Sequence, residues 1–446
     1  SAITSKRQTA TLAETSDLPK VDFSGFETQA VHAGYRPDPL TGARDVPIYQ
    51  STSFCFNDCD QAARLFKLDE AGMIYTRLTN PTVEALGARI AALEGGVAST
   101  CTSCGHAAQL MALYALMTSG DTVVCSKHLY GGTITQMSRT ILKFGWKAEF
   151  VDTADMDQVK AALAKPGVKG LFIESLCNPG ATITDMRALA DAAHAVGVPL
   201  LVDNTLASPY LCRPIEHGAD IVLHSTTKFI SGHGSAMGGC IVDSGKFDWK
   251  QNDKFPSLSQ PEPGYNNMVF ADKFGPVAMT IFQHAVALRD LGSCMAPMMA
   301  WLTLTGVETL ALRMDKHCQN ALEVASWLEK HPKVKFVSYP ALPSSPYKAL
   351  CDRYMGGKGG AVLTFGVSGG FEEAKKVVDG CQLFSLLANL GDVRSLIIHP
   401  ASTTHSQLSS DKRREAGAGD DTIRLCVGIE TAKDLIKDLE TALERA

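Results

Sequence analysis

Between about Gly95 and Asp243 the chain alternates short apolar runs with amphipathic stretches. The runs at Asp121–Cys125, Lys147–Val151, Gly170–Glu174, Pro199–Asp203 and Asp220–His224 predict strands. Continuous ones such as Val198–Val202 suit strands buried on both faces. Helices are predicted between them at His106–Met117, Thr133–Phe144, Met156–Ala164 and Asp185–Ala195. This alternation defines an α/β class with a mostly parallel sheet wrapped by helices. Beyond Asp243 the pattern changes. Lys246–Asn267 is polar, carries Pro256, Pro261, Pro263 and Gly264, and predicts an irregular insertion. A long helical stretch is expected from about Pro297 to Glu329. Shorter strand and helix signals follow at Val334–Tyr339, Gly360–Val367, Phe371–Asp379 and Thr422–Val427, ahead of a final helix. They predict a smaller α+β unit.

Composition narrows the function classes. With 446 residues the chain exceeds one minimal core, so a large and a smaller domain are expected. A net charge of -5, without any Lys/Arg block, argues against a nucleic-acid surface. No apolar run reaches the ~18–20 residues a membrane span needs. Ser1–Asp17 is polar and reads as a flexible arm, not a secretory signal, so a cytoplasmic location is expected. Thirteen cysteines without a regular framework suggest reduced thiols. Cys101-Thr-Ser-Cys104 reads as small residues in a tight turn before a helix, in preference to a redox pair. Because His399 and His405 have no acid at ligand spacing, no metal is expected.

Ligands of open parallel α/β sheets sit at the carboxyl ends of the strands. Glu174 ends one predicted strand, Asp203 ends the next, and His224-Ser225-Thr226-Thr227-Lys228 follows a third. A lysine that forms a Schiff base needs a carbonyl partner, and pyridoxal phosphate, paired with an acid at its pyridine nitrogen, is the standard one. Asp203 can supply that acid and Lys228 the amine. Ser225 and Thr227 can donate hydroxyls to the phosphate, and a helix beginning at Gly105-His106 can offer backbone N–H groups and its dipole. Gly232-x-Gly234-x-x-x-Gly238 has the wrong spacing for a dinucleotide fingerprint and leads towards a strand.

The segment Ser225-Thr-Thr-Lys228-Phe-Ile-Ser-Gly-His233 resembles the lysine motif of the Cys/Met-metabolism family of pyridoxal-phosphate (PLP) enzymes. So do Tyr75-Thr-Arg77-Leu-Thr-Asn80-Pro-Thr, Leu129-Tyr130-Gly-Gly-Thr, Glu174-Ser-Leu-Cys-Asn178-Pro, Val202-Asp203-Asn-Thr, His399-Pro-Ala-Ser-Thr-Thr-His405 and Arg424-Leu-Cys-Val-Gly-Ile-Glu430. The resemblance covers nearly the whole chain from about Thr28. It implies a fold type I transferase, with Lys228 holding PLP and shuttling protons, and Asp203 on the ring nitrogen. Tyr130 would stack on the ring and help at the leaving group, and Asn178 would touch the ring hydroxyl. Gly105, His106, Ser225 and Thr227 would hold the phosphate. Arg424 would clamp the substrate carboxylate. Tyr75 and Arg77 would reach a neighbouring subunit's cofactor, which implies a homo-oligomer, usually a tetramer built as a dimer of dimers. On this reading residues 1–79 form a segment serving the neighbour, 80–300 the PLP-binding domain and 301–446 the C-terminal α+β domain.

Within that family, His32–Gln50, the insertion, Ala300–Leu310 and Leu387-Ala-Asn389-Leu-Gly-Asp392 are similar to the O-acetylhomoserine sulfhydrylase branch. Asn389, a further substrate-contacting position with Tyr75 and Tyr130, stands where the cystathionine enzymes and methionine gamma-lyase usually have serine. Gly132 stands where methionine gamma-lyase has cysteine. The resemblance implies gamma-replacement of O-acetyl-L-homoserine by sulfide or a thiol, with methionine gamma-lyase or cystathionine gamma-synthase as the alternatives. Two departures bear on substrate choice: His106 replaces the usual glutamine, and Cys177 and Gly180 vary the loop around Asn178.

Overall fold

The computed structural model describes residues 23–446 except 179, 405, 407, 408 and 416. Ser1–Asp17 and His405, both singled out above, lie outside the described residues. The larger sheet has seven strands: β1 (Ala98–Thr102), β2 (Thr122–Ser126), β3 (Lys147–Val151), β4 (Val168–Glu174), β5 (Leu200–Asp203), β6 (Ile221–His224) and β7 (Gly239–Asp243). Their order is β1-β7-β6-β5-β4-β2-β3, and only β7 runs against its neighbours. The five strands predicted from apolar runs are all present, with ends displaced by two residues at most. The central runs Leu171-Phe-Ile173 and Leu200-Leu-Val202 are fully buried, as strands covered on both faces must be.

The smaller sheet holds β8 (Val334–Ser338), β9 (Val362–Val367), β10 (Ser385–Leu386), β11 (Leu396–Ile398) and β12 (Thr422–Cys426) in the order β10-β11-β12-β9-β8. The final helix, Ala432–Arg445, buries Leu435, Leu439, Ala442 and Leu443, a stripe at helical spacing, and packs on the helix Phe371–Gly380. Among the described residues no helix is long and apolar enough to cross a membrane. The Lys246–Asn267 insertion is irregular, as predicted, with only short helical turns at Pro256–Ser259 and Pro263–Tyr265. It is pinned by Phe247, Trp249 and Phe255, whose ring centroids lie 4.8–5.5 Å apart.

Three sequence expectations need correction. Cys101 is not in a turn: it lies in β1, opposite Cys240 of β7. Thr133–Phe144 is not one α-helix. Gly131–Thr135 is α-helical, Gln136–Thr140 is a π turn and Ile141–Phe144 is 3-10. The stretch from Pro297 to Glu329 is two helices, Pro297–Val307 and Leu310–Leu328. They part where the loop after Lys228 presses on the helix: a Cβ at Gly306 would lie 2.1 Å from the Ser231 carbonyl oxygen.

Arg313, at the start of the second helix, secures this junction. Its Nη1 donates to the Phe229 carbonyl (2.7 Å), and its Nη2 donates to those of Ile230 (3.2 Å) and Gly306 (2.6 Å). Burial pushes the guanidinium down to about 10. Arg313→Leu would strand the buried Phe229 and Ile230 carbonyls, while Gly306 keeps the Thr309 N–H, and should cost about 2–5 kcal/mol in urea unfolding. A loss below about 1 kcal/mol, the range of ordinary surface substitutions, would contradict this account.

Candidate active site

Parallel pairing sets Glu174 level with Asp203, and Asp203 level with Leu223, so the ends of β4, β5 and β6 meet at one edge. A cavity of about 250 Å³ opens there. Gly105, His106, Tyr130, Asn178, Asp203, Ser225, Thr227, Lys228, Asn389 and Arg424 all line it. Of the site residues predicted from sequence, only Tyr75 and Arg77 do not.

Lys228 sits in the turn after β6, half-buried, and its Nζ donates to Asn389 Oδ1 at 2.5 Å. Burial, followed by the nearby Arg424 charge, lowers its pKa from the ordinary lysine value, because both disfavour the ammonium form. Gly391 makes room for this loop. With φ +77°, it brings its backbone so close that a Cβ would lie 2.8 Å from Lys228 Cα. Arg424, buried in β12, donates from Nη1 to Asn178 Oδ1 (3.1 Å) and from Nη2 to the Asn389 carbonyl (3.0 Å). Its Nε has no partner among the described residues. Asn389 therefore touches both the lysine and the arginine.

Asp203 is held by two donors: Thr205 N to Oδ1 (3.0 Å) and Gln109 Nε2 to Oδ2 (3.1 Å). Sequence reasoning missed Gln109. It lies four residues after Gly105 on the helix Gly105–Leu116, and the i, i+4 spacing that puts both on one face was the available signal. Thr205 was also missed; its Oγ1 accepts from Ser225 N at 2.8 Å. Glu174, named from sequence without a role, is buried and accepts from the backbone N–H groups of Tyr130 (2.6 Å) and Asn178 (3.4 Å). Burial, then the neighbouring Asp203 charge, pushes its carboxyl well above the usual carboxylate range.

At the opposite end, the helix beginning at Gly105 abuts Ser225, and a Cβ at 105 would lie 2.8 Å from Ser225 Cβ. The Thr227 hydroxyl is engaged with Gly238, donating to its carbonyl (3.2 Å) and accepting from its N–H (3.0 Å). The π turn places Gln136, whose Nε2 donates to the His106 carbonyl at 3.0 Å. The His106 and Tyr130 rings lie 5.9 Å apart. Gly132 leaves them that space, since a Cβ there would lie 2.5 Å from Tyr130 Cε1 and 2.9 Å from His106 Cε1. Tyr130 is half exposed and also borders an outer cleft of about 780 Å³, together with Asn178 and Arg424.

Tyr75 and Arg77 are exposed on their own chain. The Arg77 guanidinium lies 5.5 Å from the Tyr75 ring centroid, and its Nη1 donates to the Arg289 carbonyl at 2.8 Å. His399 has both ring nitrogens engaged, Nδ1 with Ser402 Oγ and Nε2 with the Asp420 carbonyl, each at 2.9 Å.

A half-buried amine of lowered pKa, a braced carboxylate, and a helix N-terminus closed against a serine by a glycine surround one cavity. This donor set fits a phosphorylated pyridoxal. The chain belongs to the Cys/Met metabolism PLP-dependent enzymes, whose family model matches residues 27–444. Among its relatives, a homocysteine synthase from Schizosaccharomyces pombe is 47% identical over 428 residues, covering 96% of this chain and 100% of that one. An O-acetyl-L-homoserine sulfhydrylase from Leptospira meyeri is 46% identical, covering 94% and 96%. A crystal structure from Campylobacter jejuni, described as an O-acetylhomoserine (thiol)-lyase and carrying a pyridoxyl-lysine phosphate, superposes with a TM-score of 0.91. It is 42% identical and covers 94% of this chain and 99% of that one. The architecture is that of a fold type I PLP-dependent enzyme, a large mostly parallel sheet followed by a smaller C-terminal unit.

Proposed function

We propose that the chain catalyses gamma-replacement, converting O-acetyl-L-homoserine and sulfide (or a thiol) to L-homocysteine (or its thioether) and acetate. The observation that carries this reading is the convergence of Lys228, Asp203 and Arg424 on one cavity. The names of the relatives supply the substrate. PLP, when bound, supplies an electron sink for charge developing beside the substrate amino group. Lys228 Nζ, whose ammonium form is disfavoured by burial, takes and returns the substrate protons. Asp203, braced by Gln109 and Thr205, would set its charge against the ring nitrogen. Tyr130 would lie over the ring and assist departure of acetate. Asn178 would reach the ring hydroxyl. The N–H groups of Gly105 and His106 would hold the phosphate, with the Ser225 hydroxyl and that of Thr227 once it turns from the Gly238 carbonyl. Arg424, with Asn389 beside it, takes the substrate carboxylate.

Tyr75 and Arg77, exposed on their own chain, would serve a neighbouring subunit's phosphate, so the working unit is at least a dimer, and the family resemblance favours a homotetramer built as a dimer of dimers. The segment 1–79 reaches the neighbour, 80–300 binds PLP and 301–446 carries the substrate arginine. The enzyme works in the cytoplasm.

The test is to incubate the purified chain with PLP and O-acetyl-L-homoserine, with and without sulfide, and to assay homocysteine and 2-oxobutyrate together. Homocysteine that needs sulfide, with little 2-oxobutyrate, is expected. Abundant 2-oxobutyrate and ammonia without sulfide would replace this reading with a gamma-lyase. Arg424→Lys keeps the charge but loses the two-pronged donor, and should raise KM for O-acetyl-L-homoserine by about 10–100-fold. An unchanged KM in steady-state assays would remove Arg424 from the carboxylate site.

A further inference from the structure

Side chains of successive strand residues point to opposite faces. At the ends of β4, β5 and β6 this places Glu174, Asp203 and Ser225 on the cavity and sends their chain neighbours Ser175, Asn204 and His224 the other way. All three neighbours are fully buried and linked through one acid, Glu94, the last residue of the helix Pro81–Glu94. Glu94 Oε1 accepts from Asn204 Nδ2 (2.8 Å) and from His224 Nε2 (2.6 Å). Asn204 Nδ2 also donates to the Cys212 carbonyl (2.8 Å), and its Oδ1 accepts from Ser175 Oγ (2.7 Å). Both Glu94 and His224 have no measurable exposure. Glu94 Oε2 and His224 Nδ1 have no partner among the described residues.

We propose that Glu94 is a positioning residue of the active site, setting the spacing between the strand ends that carry Glu174, Asp203 and the Ser225–Lys228 turn. A carboxylate out of water is tolerated only when hydrogen-bonded, and its donors in turn need an acceptor. Asn204 is covalently next to Asp203, and His224 stands one residue before Ser225. Removing Glu94 leaves the Asn204 amide with only the Cys212 carbonyl to donate to, and leaves the buried His224 imidazole without its acceptor. The imidazole regains a partner by a shift of the β6 end, which changes the spacing between the lysine turn and the acid on β5. The helix Pro81–Glu94 thus acts on the cavity through Asn204 and His224 without touching it.

This inference rests on the PLP reading of the site, and the test separates the two. Holoenzymes of wild type, Glu94→Leu, Glu94→Gln and Ile90→Ala are compared. Ile90 lies one turn earlier on the same helix, is equally buried, and takes no part in the network. The readouts are Tm, release of PLP on dilution, visible absorbance across pH, and kcat against KM. Glu94→Leu is expected to release PLP at least about tenfold faster, to shift the absorbance profile, and to lower kcat more than it raises KM. Glu94→Gln, which keeps one acceptor oxygen, should recover most of these. Ile90→Ala should lower Tm alone. A Glu94→Leu enzyme that behaves like Ile90→Ala would overturn the proposal while leaving the site reading intact. A wild type that takes up no PLP would overturn both. If Glu94→Leu does not fold, Asn204→Ala is judged by the same criteria.

Discussion

Lys228→Ala is expected to abolish turnover, with kcat at least about a thousandfold lower, the scale on which positioned acid–base and covalent groups act. The reason is local. Among the residues lining the 250 Å³ cavity, only Lys228 carries an amine, and burial with Arg424 nearby favours its neutral, nucleophilic form. Lys228→Arg separates chemistry from charge. It keeps a cation that can reach Asn389, yet a guanidinium neither condenses with an aldehyde nor gives up a proton at neutral pH. Both variants should lose sulfide-dependent homocysteine formation and the absorbance of lysine-bound PLP. Near-normal activity in either would defeat the assignment.

Asp203→Asn should lower kcat by about 10²–10³, in line with loss of a preorganised charge in a water-poor site. The change is close to isosteric. The amide can still accept from Thr205 N, and Gln109 can rotate its own amide to match, so the fold should hold. What goes is the negative charge that the proposed reading sets against the ring nitrogen. A stable, PLP-loaded Asp203→Asn enzyme with wild-type kcat would show that the acid has no electrostatic part in the reaction. Measuring PLP content and kcat on the same preparation keeps the two effects apart.

The central strands were legible because a strand covered on both faces must be apolar along its whole length, as Leu200–Val202 is. β1 was not: Ala98-Ser-Thr-Cys-Thr102 is small and polar, and becomes a strand by pairing with β7, far along the chain. The break between Val307 and Leu310 was hidden for a similar reason, since what presses on Gly306 is the loop after Lys228. Residues that offer reactive groups to the cavity could be read from strand ends and motif resemblance. Those that brace them could not. Gln109 acts on a carboxylate 94 residues away, and Glu94 meets a histidine 130 residues away. Such pairings depend on three-dimensional packing that neither periodicity nor motif encodes.

Gly132 has a consequence for how such chains can diverge. A single added carbon at that position would run into both Tyr130 and His106. Positions 106, 130 and 132 are therefore coupled: a side chain gained at 132 must displace the Tyr130 ring first and the His106 ring with it. A cysteine at 132 would thus re-aim the Tyr130 ring at the cavity mouth, so a change at this one backbone position alters the surroundings of two other side chains at once.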